Sequence, residues 1–125
     1  MQFIPRMRWF WKKMSIFEIV CKLRKKIRLT ETQWSHIKYR HPELENQIEK
    51  ISMTLESPEI ICYSSKEELY HYYRHFTGTP VSEKYLLVVV KHLNDEGFVV
   101  TGFFVSKIKK VEKEVIYGKE NYNKL

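Results

Sequence analysis

The sequence predicts an α+β domain in which two N-terminal helices pack on a four- to five-stranded antiparallel sheet. Three observations predict it. Residues 30–41 carry a helix start followed by apolar residues at three- and four-residue steps. Residues 43–55 carry a second stripe of the same period. Beyond residue 59 the period falls to two, and β-branched and aromatic residues take over. Helices first and strands afterwards favour helices laid against an antiparallel sheet.

The elements follow in order. The 125 residues suggest one domain, long enough to bury a core without disulfides or a structural metal. Residues 1–14 lack a clear period and read as a basic, aromatic extension, with Met14 as an alternative start. Ile16 to Lys22 alternates loosely, as a strand or a short helix. Lys25 to Leu29 alternates charge and aliphatic like a strand. Thr30-Glu31-Thr32-Gln33 fits a capping box, with Thr30 as N-cap and Gln33 reaching back. Trp34, Ile37 and His41 then share one face, and Pro42 ends that helix. Leu44, Ile48, Ile51 and Leu55 form the stripe of a second helix over Glu43 to Leu55, closed by Ser57-Pro58. Strands are expected at Glu59–Tyr63, Leu69–Phe76, Lys84–Leu93 and Phe98–Ser106. The folded domain is expected over 15–110, with a polar tail over 111–125.

The formal net charge is +7, and it is unevenly spread. Residues 1–40 hold eleven Lys and Arg against two acids, whereas residues 41–70 hold two Lys against seven Glu. A concentrated positive field favours a polyanion, either nucleic acid or an anionic membrane surface. Solubility alone also accounts for a basic chain. Trp9 to Lys13, aromatic and cationic, suits contact with a membrane surface or with RNA. No stretch approaches the roughly 20 apolar residues of a membrane-spanning helix. No cleavable signal pattern is present, so the expected compartment is the cytoplasm.

Several chemistries lack their signatures. No glycine pattern of a nucleotide-binding loop occurs. Cys21 and Cys62 are isolated and read as free buried thiols. The five His lack paired ligand spacing, so neither metal nor other cofactor is expected.

The candidate site residues come from the first helix and the strands. A type I turn at Asp95 and Glu96 with a left-handed Gly97 would set Lys91 opposite Thr101. A cation and a hydroxyl on a rigid platform suit a phosphate, although Lys91 could equally snorkel at a sheet edge. His41 sits at a helix C-terminus, where it can act or merely cap. His36 and Arg40, four apart, form a second basic face. The strand from Leu69 sets Tyr70, Tyr72, Arg74 and Phe76 on one side and Leu69, His71, Tyr73 and His75 on the other. Aromatics interleaved with cations suit an RNA groove.

Trp34-Ser35-His36-Ile37 with Arg40-His41-Pro42-Glu43-Leu44 resembles the "W-x-H-I … R-H-P-E" helix of phage-associated nuclease domains of the barnase–EndoU–colicin–RelE class. The Tyr85 to Lys91 strand and Gly97 to Phe103 look like the hairpin of that family. Gly102 departs from it, since Ala is more usual there. The resemblance covers residues 25–110. It implies two helices before a four-stranded antiparallel sheet, and a metal-independent ribonuclease acting through 2′-hydroxyl attack. His41 would be the acid or base, with His36 as its substitute. Lys91 and Arg74 would hold the scissile phosphate, Thr101 would donate to it, and His36, Arg40, Tyr70 and Tyr72 would contact RNA. A toxin of a toxin–antitoxin or phage-conflict system is the implied setting, with an antitoxin or immunity protein as partner. The alternatives are non-catalytic RNA binding or protein interaction on the same fold.

Overall fold

The computed structural model describes residues 15–118. The extension 1–14, with its membrane-contact expectation at Trp9–Lys13, lies outside the described residues. So do residues 119–125.

One mixed sheet of seven strands organises the described chain. Its strands are β1 (Ser15–Val20), β2 (Lys26–Thr30), β3 (Ile60–Ser64), β4 (Leu69–His75), β5 (Tyr85–His92), β6 (Glu96–Val105) and β7 (Glu114–Gly118). Helix α1 spans Glu31–Arg40 and α2 spans Ile48–Glu56, with a 3-10 turn at Pro42–Leu44 between them. The strand order is β1-β2-β6-β5-β4-β3-β7. Every neighbouring pair is antiparallel except β2 and β6, which run parallel.

This overturns the expected four- to five-stranded antiparallel sheet behind two leading helices. Among the described residues, two strands precede the first helix. They form a short hairpin (Cys21 N–H donates to Lys25 O at 2.9 Å), and β2 then joins β6. Such a partner lies far away in sequence and leaves no local mark. At the other end, part of the expected polar tail pairs with β3 as β7.

The helices form where the sequence placed them, with adjusted bounds. Thr30 caps α1 by accepting from the Gln33 N–H at 3.2 Å. The Gln33 side chain does not reach back to Thr30, and donates instead to the Val100 carbonyl of β6. The second helix starts later than expected. Pro42 opens a 3-10 turn, and Asn46 takes a left-handed conformation (φ 66°) before α2 begins.

The helices cover one face of the sheet. Trp34, Ile37, Leu44, Ile51 and Leu55 pack there on Ile27, Leu29, Tyr72, Leu86, Val88 and Val90. A smaller second core on the opposite face holds Ile60, Cys62, Tyr73, Leu87 and Val89, with Val100, Phe103 and Ile108 against it. The two ends of the sheet also approach each other near the end of α2. Although β1 and β7 are opposite edges, Lys22 Nζ lies 5.2 Å from the Tyr117 ring centroid. The Lys22 N–H donates to Leu55 O at the end of α2 at 2.9 Å. Cys21 and Cys62 are both free and buried.

The β5–β6 hairpin differs in register from the expectation. Its loop has two residues, Asn94 and Asp95, and the Leu93 N–H donates to Glu96 O at 2.7 Å. Lys91 therefore faces Phe98, not Thr101. A bulge at Val100 then sets Thr101 opposite Val89. Gly97 is not left-handed. What it needs is the absence of a side chain, because a Cβ would run into the Lys91 carbonyl oxygen.

Candidate functional site

Strand β2 leaves β6 after the Arg28–Phe98 pair, so among the described residues the rest of that edge of β6 has no neighbouring strand. Helix α1 runs along it, tied on by the Gln33–Val100 hydrogen bond. Between them lies an open cleft of about 510 Å³. Gln33, His36, Ile37, Arg40 and His41 form the helical wall, and Val100, Thr101 and Phe103 form the strand wall.

His41 is fixed from three sides. As the C-cap of α1, its backbone N–H donates to Ile37 O at 2.8 Å. Its ring stacks on Phe103, with centroids 4.9 Å apart and planes 22° from parallel. Glu43 Oε2 stands 3.8 Å from Nδ1, an ion-pair distance for a protonated imidazole. His36 and Arg40 lie on the exposed side of α1, one turn apart. Two imidazoles, a guanidinium, the Thr101 hydroxyl and the Gln33 amide thus meet in a cleft with no carboxylate among its described lining residues. Such a set can hold an anion and exchange protons with it.

Four of the expected residues therefore come together: His36, Arg40, His41 and Thr101. The others are held elsewhere. The Lys91 ammonium donates to Glu68 O at 3.3 Å and stands 3.8 Å from Glu68 Oε1, reaching to the β4 side of β5, away from β6. Arg74 donates to Ser57 O at 2.6 Å beside the end of α2 and lies over the Phe76 ring. Tyr72 is completely buried, out of reach of any base. Tyr70 joins a ring ladder across three strands, 4.7 Å from Tyr63 and 4.1 Å from His92.

Gln33, Glu43 and Phe103 enter the cleft or its support without having been singled out as site residues. For Phe103 the available signal was its two-residue step from Thr101, which puts both on one face. For Glu43 it was the two-residue step from His41 across Pro42.

Two further polar clusters lie outside the cleft. Tyr72 Oη bridges Cys21 Sγ (3.2 Å) and His92 Nε2 (3.0 Å). Burial, and secondarily the Lys25 charge, push the His92 imidazole down to about 4. Burial drives the Tyr72 hydroxyl well above its ordinary value, and the hydrogen bond to Cys21 adds to this. On the second face, Lys113 Nζ lies 3.3 Å from His71 Nδ1. Burial lowers both of these groups and raises the Cys62 thiol, so Cys62 is not an activated nucleophile. Among the described residues no group of three or more His, Cys, Asp or Glu is placed to hold a metal ion, and no helix is long and apolar enough to cross a membrane.

Comparison with known proteins finds no matching family model, no matching curated protein and no matching solved structure.

Proposed function

We propose that the α1–β6 cleft binds a phosphodiester of RNA and cleaves it as a metal-independent endoribonuclease. The observation that carries this reading is the convergence of His36, Arg40, His41 and Thr101 in one open cleft with no acid among its described lining residues. The excess of basic residues in the chain's first third supports a polyanionic substrate.

The chemistry follows from the groups present. One imidazole removes the proton of a ribose 2′-hydroxyl as its oxygen attacks the adjacent phosphorus. The other protonates the 5′-oxygen as the P–O5′ bond breaks, leaving a cyclic 2′,3′-phosphate and a free 5′-hydroxyl. His41 suits the base: Glu43 stands on the Nδ1 side of the ring and leaves Nε2 for proton transfer. His36 takes the acid role. Arg40 and Thr101 place a cation and a hydroxyl donor against the charge that grows on the non-bridging oxygens. Lys91 and Arg74 have no part in this assignment, being held by Glu68 and Ser57. A toxin role, with an antitoxin or immunity protein as partner, is the setting such an activity would suit.

The test is cleavage of a fluorescent RNA in EDTA by the wild type, His36→Ala, His41→Ala, Thr101→Val and Lys91→Ala. Each His variant is expected to lose about 10²–10⁴-fold in rate. Thr101→Val should lose less, and Lys91→Ala little. Equal rates throughout would remove the assignment. Salt-sensitive RNA binding without product would replace it with the non-catalytic reading.

A further inference from the structure

We infer that residues 106–113 form a track for single-stranded RNA that extends the α1–β6 cleft across the second face of the sheet. The inference rests on the cleft's binding RNA. β6 and β7 are consecutive in the chain but separated by β5, β4 and β3 in the sheet. Their connection must therefore cross three strands, and its anchors show on which face. Ile108 packs into the second core with Val100 and Phe103, both of which line the cleft. Lys113 Nζ meets His71 Nδ1 at 3.3 Å and Lys109 O at 3.2 Å. The strap is pinned at both ends, so what it displays is fixed.

Its first half displays cations, whereas Val111 and the acid Glu112 are exposed farther along. Lys107 and Lys109 flank the partly buried Ile108 and are both exposed. The strap starts where the cleft ends, because Phe103, on which His41 stacks, is two residues before the end of β6. From Phe103 to Lys107 an extended chain covers at most roughly 14 Å, a length a few nucleotides span. A strand with its scissile phosphate beside His41 would lay its neighbouring phosphates along Lys107 and Lys109. The substrate is single-stranded because attack by the 2′-oxygen in line with the leaving oxygen needs a nucleotide free of A-form stacking.

The experiment measures binding of a labelled single-stranded RNA by fluorescence anisotropy over a salt series, using the full chain. It compares the wild type, the double variant Lys107→Ala/Lys109→Ala, and Lys66→Ala, an exposed lysine on the β3–β4 turn. Each phosphate contact contributes about 0.7 to the slope of log affinity against log salt, so the double variant should be shallower by about 1.4. Lys66→Ala should match the wild type. Cleavage of a ribodinucleotide, which fills only the cleft, should be unchanged in the double variant, while KM for the longer RNA rises. An unchanged slope, or an equal loss per lysine in Lys66→Ala, overturns the track. If the wild type binds without cleaving and the double variant still loses slope, the track stands and the cleavage reading falls. If the dinucleotide is cut and the double variant handles long RNA like the wild type, the reverse holds.

Discussion

Acid should destabilise this protein through His92, and replacing that residue should relieve it. His92 lies between Tyr70 and Tyr72, and its Nδ1 is buried without a hydrogen-bond partner among the described residues. A bare nitrogen is cheaper as a lone pair than as an N–H, so the neutral Nε2–H tautomer fits best. It donates to Tyr72 Oη, whose own proton then goes to Cys21 Sγ. A second proton on the ring would sit unpaired beside Lys25, and the imidazole is held down at about 4, against an ordinary 6.5. The unfolded chain therefore takes up a proton in that interval that the folded chain refuses. Stability is complete above the upper value and drains as pH falls toward the lower one. The loss is on the order of 3 kcal/mol at full extent. His71, lowered by burial and by Lys113, adds loss of the same sign. In His92→Phe the Tyr72 hydrogen bond goes, at about 1 kcal/mol, and so does the proton linkage. The variant should be weaker than wild type at neutral pH by about 1 kcal/mol and stronger at the acid end by about 2 kcal/mol. Urea unfolding followed by circular dichroism at a series of pH values gives both curves. They should cross, and parallel curves would refute the assignment of the acid-sensitive proton to His92.

Two further predictions concern the frame of the site. Gly97 faces His92 on one side and Ile27 on the other, and a Cβ there meets the Lys91 carbonyl oxygen. Gly97→Ala should cost about 2–3 kcal/mol through a forced backbone shift; an unchanged urea midpoint would contradict this. Gln33→Ala removes the side-chain tie between α1 and β6. It should lower kcat several-fold while costing only about 1 kcal/mol of stability, and equal kcat in both proteins would show that the tie does not set the cleft.

What was legible in the sequence was local. The Thr30 cap, the Trp34 and Ile37 face and the two sides of β4 all depend on neighbours within a few residues, and all appear as read. The errors involve distant partners. β2 is short and carries Lys26 and Arg28 on one face, and its recruitment to β6 depends on residues about 70 positions away in the chain. β7 holds Val115, Ile116 and Tyr117, a β-branched and aromatic run that the charges on either side mask as polar tail, and it pairs with β3. Lys91 looked free because its partner, Glu68, lies beyond β4 in a turn. The bulge at Val100 has no Gly or Pro to announce it, yet it shifts the hairpin so that Thr101 faces Val89.

The same non-local features create the cleft. Had β2 continued along β6, its backbone would have filled the edge that Val100 and Thr101 now present to α1. Instead β2 ends at Thr30, which turns the chain into a helix by capping it, and Gln33 spends its amide on the vacated strand. Val99 packs on the helix-covered face, so without the bulge alternation along β6 would turn Thr101 to that face too; the bulge brings it opposite Val89, on the second face with Val100 and Phe103. The cap is written locally, while the stop and the bulge are set by packing. The histidines were therefore recognisable from their motif, but the hydroxyl that faces them, and the lysines excluded from them, follow only from how far each strand pairs.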